Sequence, residues 1–184
     1  MQFTPSRADV VRAINQRWLL KFWQRHLGDG RVPQWQVVET ENLSNIVTQL
    51  SFLDVTRSAG GLRFIIRFHG AMVGEVYGSA DCRGKYLDEI IPNPAQAQAP
   101  YLRAVESGCP VYTIHDVLDR DGRTVHYERL LLPFGRDSRL VDRILASFEF
   151  VCGEGAFNRK ALMVSQTAPP KLKLSATIEP RALA

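Results

Sequence analysis

Apolar and polar positions alternate most cleanly in LRFIIRF, residues 62–68, where Leu62, Phe64, Ile66 and Phe68 fall on one side and Arg63 and Arg67 on the other. A period of two marks a strand with one buried face. SFLDVT, residues 51–56, is a shorter strand, and Gly60 and Gly61 between the two supply a hairpin turn. The same logic predicts PVYTIHDVL (110–118) and TVHYERLLLP (124–133) as a hairpin around Asp121 and Gly122. LVDRILASFEFV (140–151), with Leu140, Ile144, Ala146, Phe148 and Phe150 as its apolar set, returns as a further strand.

Helical periodicity occupies other stretches. Ala8 to Leu27 fits a long helix, with Ser6 as its N-cap and the Gly28-Asp29-Gly30 run as its stop. Val11, Trp18, Leu19, Phe22, Trp23 and Leu27 spread over roughly half its circumference, with Arg17, Lys21 and Arg25 opposite. Such an arc is broader than a one-sided surface helix needs. Two readings stand: the helix is clamped on its own sheet, or it also covers a second copy of the chain. A loop with Pro33 and Trp35 leads to residues 43–50, whose type the pattern leaves open. Ala71 to Tyr77 and Lys85 to Ile91 read as two short helices, and Pro94 to Ser107 as a third, ended by Gly108. From Gly153 onward, with Pro169, Pro170 and Pro180, no period is evident, and the tail is expected to be peripheral or mobile.

Two strands, short helices and then three antiparallel strands predict an α+β fold: one sheet with short helices on one face and a long N-terminal helix. The chain then divides into an N-terminal helix and linker (1–40), a sheet domain (41–152) and a tail (153–184). At 184 residues there is material for one core. Apolar residues make up 45% and charged residues 23%, the balance of a globular protein rather than a disordered one. No apolar run reaches the length of a spanning helix, and the N-terminus lacks the pattern of a signal peptide, so a cytoplasmic location without membrane contact is expected. The net charge of +4 comes from basic residues interleaved with acidic ones, which gives nucleic-acid binding little support. Cys82, Cys109 and Cys152 are too few and too scattered for a disulfide framework or a zinc site, and no metal site is expected.

The glycine-spaced stretch HGAMVGEVYGSADCRGKYLDEII, residues 69–91, invites a phosphate cradle. A P-loop needs GxxxxGK followed by a hydroxyl for Mg²⁺. Between Gly78 and Gly84 there are five residues, and Tyr86 stands where the hydroxyl should be. A nucleotide cradle is therefore not expected. His69, His115 and His126 are each consistent with a satisfied imidazole; with Glu128 and Asp54 they could also be assembled into an acid/base pair, which the spacing does not require. No catalytic residue is assigned.

FWQRHLGDGRVPQW near the start, RFHGAMVGEVYGSADCRGKYLDEIIP in the middle, and GCPVYTIHDVLDRDGRTVHYERLLLPFG with VDRIL near the end together resemble the PAS sensory fold, in particular small stand-alone bacterial PAS-like proteins. The likeness covers most of residues 18–151. It implies a five-stranded antiparallel sheet, order 2-1-5-4-3, cupping short helices, and no catalytic residues. It also implies that Gly70 and Gly78 are chain corners, leaving the second strand and ending the first short helix, where positive φ or close backbone approach excludes a side chain. In PAS proteins of the LOV type a cysteine forms a flavin adduct, but Gly84-Lys85-Tyr86-Leu87 fills the corresponding register here and Cys82 is displaced from it. Haem-binding relatives place a histidine on the helix corresponding to Pro94–Ser107, which has none. The cofactor, if any, is unknown from sequence.

In a PAS cup, Phe64, Ile66, Phe68, Met72, Tyr77, Tyr101, Tyr127 and Leu131 would line one pocket of the apolar, sparsely polar kind that takes small molecules. A filled core is the commoner use of such residues. The resemblance implies a non-enzymatic sensor or interaction module acting in signalling through an unidentified partner protein, with a small ligand in the cup. The broad apolar arc of the N-terminal helix separately predicts a homodimer joined by that helix, with Trp18, Phe22 and Trp23 as its anchors. The alternative is a small α+β cone enzyme of the ketosteroid-isomerase or NTF2-like type, which requires a buried Asp-His or Asp-Tyr constellation in its cup.

Overall fold

Alternating segments and glycine turns come together as one mixed sheet. The computed structural model describes residues 1–78, 81–91 and 94–180. A short edge strand β1 (Thr4–Ser6) and a single 3-10 turn precede α1 (Ile14–Arg25) and α2 (Gln36–Thr40). The first hairpin is β2 (Leu50–Ser58) and β3 (Gly61–His69). Three helices follow: α3 (Ala71–Val76), α4 (Leu87–Ile90) and α5 (Pro94–Ser107). The chain then forms β4 (Val111–Leu118), β5 (Thr124–Phe134), β6 (Arg143–Cys152) and β7 (Lys171–Ile178).

The sheet order is β1-β7-β4-β5-β6-β2-β3, antiparallel throughout except where β1 pairs in parallel with β7. The expectation of five antiparallel strands is thereby corrected to seven in a mixed sheet. The five alternating segments form β2 to β6, and β7 and β1 extend the sheet beyond β4. The tail segment expected to be peripheral supplies that extension, and Ala176, Thr177 and Ile178 are buried in it.

The N-terminal helix is also shorter than its periodicity suggested. Residues 8–10 form the 3-10 turn, Val11 and Ala13 are extended, and only 12 residues from Ile14 are α-helical. Ser6 pairs with Ile178 as a strand residue rather than capping a helix. With Ser6 held in the sheet, no side chain caps a helix at Ala8, and the extended Val11 and Ala13 delay the α-helix to Ile14. Gly28, at φ 56°, forms the expected stop.

Both faces of the sheet are covered. On one, α1 lies across β5 and β6: the buried Trp23 indole donates to Pro133 O at 2.6 Å, and Gln16 Nε2 donates to Glu128 O and Ser147 O at 3.3 and 3.1 Å. On the other, α4 and α5 pack on β3, β4 and β5, bringing Tyr101 against Phe64 at 5.4 Å between ring centres. The second face forms the cup.

Candidate functional site

Strand β5 positions the site. Its even-numbered residues face α1, so Tyr127, Arg129 and Leu131 project to the cup. Register with β4 sets His115 beside Tyr127 and Thr113 beside Arg129, and register with β6 sets Phe150 and Phe148 on the other side. Tyr77, at the end of α3, and the start of α5 roof this surface. A cavity of about 130 Å³ remains, lined by Tyr77, His115, Tyr127, Arg129, Gln96, Ala97, Ile91 and the segment from Met163 to Pro170. A second hollow of about 20 Å³ lies among Ile66, Tyr77, Tyr101, Cys82 and Phe148.

The tail forms one wall because its backbone is tied down. Ala161 N–H and Met163 N–H donate to Glu75 O and Val76 O, both at 2.8 Å. Gln166 acts as a surrogate strand residue: its amide donates to Leu118 O at 2.7 Å and accepts from Leu118 N–H at 3.1 Å. Gly78, with φ 68°, turns the chain at this junction, and a Cβ there would meet Ala161 Cβ at 3.2 Å.

Arg129 is the unusual member of the site. It is 3% exposed, and among the described residues no carboxylate lies within ion-pairing distance of it, while Arg63, Arg67, Arg83 and Arg143 at the surface all have one. A guanidinium stays charged inside a protein. Its Cζ lies 5.1 Å from the Tyr101 ring centre and 5.7 Å from that of Tyr127. Such contacts return about 2 kcal/mol when desolvated, whereas removing the ion from water costs several. Among the described residues the Nε atom has no hydrogen-bond partner, and neither have His115 Nδ1 and Thr113 Oγ1 beside it.

The other titratable groups are held neutral. Burial, and then the neighbouring Arg129 charge, push the His115 imidazole down to about 3. Burial and the adjacent Tyr127 push Tyr77 well up, and burial pushes Tyr101 up. The Tyr77 and Tyr127 hydroxyls are 3.5 Å apart. The surface therefore offers one fixed positive charge and neutral hydroxyls.

The depressed imidazole has a consequence for stability. Below the ordinary value of about 6.5 the unfolded chain protonates this histidine, and the folded chain does not until about 3. More protons on the unfolded state mean that stability falls as pH drops through that window, by up to about 1.4 kcal/mol per pH unit. His115→Leu is expected to flatten the dependence of Tm on pH between 6.5 and 4.5. Equal slopes for parent and variant in calorimetry would rule out His115 as the titrating group.

Of the residues expected to line a pocket, Tyr77 and Tyr127 line the larger cavity, and Ile66, Tyr77 and Tyr101 the smaller one. Phe64 and Leu131 are fully buried in the surrounding core, and the half-buried Met72 lines neither hollow. Phe68 does not share the face of Phe64 and Ile66, a correction with a clear cause. The register with β2 slips between Phe52 and Leu53, leaving Arg67 as an extra residue, so Phe68 turns to the α1 side. There it packs on Phe52 at 5.0 Å, which in turn meets Trp35 at 5.4 Å.

Arg129 and His115 went unassigned as site residues, although the period of two already placed Arg129 between Tyr127 and Leu131. A charge on the apolar side of a strand was the available signal. The acid/base assembly is not formed among the described residues. Glu128 lies on the α1 side, accepting from Tyr112 Oη at 2.6 Å, Asp54 is paired with Arg67 at 2.7 Å, and His126 is paired with Asp116 at 2.7 Å near the surface. The glycine-spaced stretch is zipped to β3: Gly84 N–H donates to Ile66 O at 2.8 Å and Ile66 N–H to Lys85 O at 3.0 Å. His69 Nε2 accepts the Cys82 N–H at 2.9 Å, the role of a structural imidazole.

The sequence matches the model of the PAS domain family over residues 11–148. No curated protein and no solved structure matches it.

Proposed function

The chain belongs to the PAS domain family, and on that premise we propose that it is a sensor whose cup binds a small molecule and whose signal passes to a partner protein. PAS domains are in general sensory and signalling modules rather than enzymes. The observation that carries the ligand is the cavity of about 130 Å³ lined by a buried cation that has no counter-charge among the described residues. A water needs about 10–15 Å³ of such space, so the cavity has room for a compact organic molecule. The part of the tail that walls the cavity gives the signal a route outward, since a ligand touching Met163 and Pro169 also touches the segment leading into β7.

Self-association through α1 belongs to the same proposal. Phe22 and Trp23 are covered by the chain's own sheet, which leaves Ile14, 77% exposed, and Trp18, 39% exposed, one turn apart on the outer side. No helix among the described residues is long and apolar enough to cross a membrane. A cytoplasmic bacterial sensor is the setting we propose.

Native mass spectrometry of freshly purified protein, followed by a thermal-shift screen of small metabolites of all charges, tests the ligand. A co-purified molecule or a saturable rise in Tm is expected; at a hundredfold excess over Kd the rise is about 5–10 °C. No bound mass and no shift with any compound would remove the sensor cup.

A further inference from the structure

We infer that the cup is selective for a singly charged organic carboxylate with a compact apolar body, and that Arg129 holds its carboxylate. The inference rests on the cup being a ligand site and names the chemistry of that site.

Three features point to an anion. First, Arg129 is almost wholly buried, lines the cavity and has no protein carboxylate within ion-pairing distance among the described residues. Several less buried arginines do receive a carboxylate, as with Asp88 on Arg63 and Asp81 on Arg83. A buried charge left uncompensated is costly to fold around, and a ligand that brings the opposite charge removes that cost. Second, among the described residues neither Arg129 Nε nor His115 Nδ1 on the adjoining strand has a hydrogen-bond partner, so unpaired polar groups are concentrated in this wall. Third, two residues of the first turn of α5, Gln96 and Ala97, line the same cavity, and the positive end of a helix dipole favours an anion there.

The charge and shape of the ligand follow from the same residues. A single guanidinium compensates one negative charge, and its planar fork matches the two oxygens of a carboxylate. The Tyr77 hydroxyl, kept protonated by burial, and the Tyr127 hydroxyl 3.5 Å from it line the same cavity as further donors. Ile91, Ala97, Met163 and Pro169 make the remaining wall apolar, suited to an alkyl or aryl body rather than to a second charged group. The volume of about 130 Å³ keeps that body small.

Matched acids and amides separate charge from shape. Benzoate and hexanoate, with benzamide and hexanamide as uncharged counterparts, are titrated into the full chain and followed by thermal shift and calorimetry. The expected result is that the acids raise Tm saturably and the amides bind at least tenfold more weakly. Arg129→Met is expected to lose the response to the acids while melting, without ligand, no lower than the parent, because it removes an unpaired buried charge. Arg129→Lys should retain part of the response. A structural arginine would behave oppositely, with Arg129→Met melting well below the parent and still binding the acids. Should Arg129→Met fail to fold, the acid-to-amide comparison on the parent decides alone. Amides binding as tightly as acids overturn the anion and leave the cup as a ligand site; a parent unshifted by either class and by the wider screen overturns both.

Discussion

Trp23→Ala is expected to destabilise the chain by about 3–5 kcal/mol, the range for losing a large buried aromatic, and to lower Tm by about 6–20 °C for a domain of this size. Trp23 is 0% exposed between α1 and the sheet. Truncation also strips the Pro133 carbonyl of the indole donor 2.6 Å away, a buried acceptor whose partner cannot be replaced by water unless the cavity fills. Trp18→Ala, five residues earlier on the same helix, is expected to leave Tm nearly unchanged, because Trp18 is 39% exposed and stacks only its inner side on Phe22 at 5.8 Å. Trp18→Ala should instead weaken self-association in sedimentation. If Trp23→Ala dissociated a dimer without a loss of Tm, the packing of α1 on its own sheet would be the wrong account of the apolar arc. A parent chain that remains monomeric at high concentration would remove the α1 interface.

Gly70→Ala is expected to be at least as damaging as most overpacked core substitutions, at or above the upper end of about 1–3 kcal/mol. Gly70 has an ordinary negative φ, so strain of conformation is not the cause. A Cβ would instead stand 2.1 Å from Val47 O and 2.4 Å from Thr48 O, which are backbone atoms with no rotamer to change. The residue also donates its N–H to Leu50 O at 2.8 Å, holding the exit of β3 against the entry to β2. Gly122→Ala serves as the comparison: its φ of 79° strains any side chain, yet nothing lies within 4 Å of the new methyl. Chemical denaturation should place Gly70→Ala clearly below Gly122→Ala. Equal losses would show that the β2–β3 junction relaxes around a methyl group.

Much of the fold could be read along the chain. The alternation of residues 62–68 and 124–133 became β3 and β5, and the helical run 94–107 became α5 with the same limits. These elements depend on short-range periodicity and on turn residues such as Gly122, which act within a few positions. β7 carried the same signal, with Leu172, Leu174, Ala176 and Ile178 spaced by two, but Pro169, Pro170 and the flanking lysines obscured it. β1 carried none. Three residues including a proline become a strand only because Ile178, at the far end of the sequence, offers a partner.

The candidate site shows the same division. Sequence alone determined the PAS likeness, the strand faces of Tyr127 and Leu131, and the reading of Gly70 and Gly78 as corners, because each depends on local pattern or on the small size of glycine. Tertiary structure decided the rest. A one-residue bulge at Arg67, which no residue type announces, moved Phe68 to the α1 side. Packing of the 163–170 segment across the cup made an enclosed wall from residues remote in sequence. The same packing left Arg129 without a carboxylate among the described residues, since whether a charge is paired depends on what three-dimensional contact brings within about 4 Å of it and not on its neighbours along the strand.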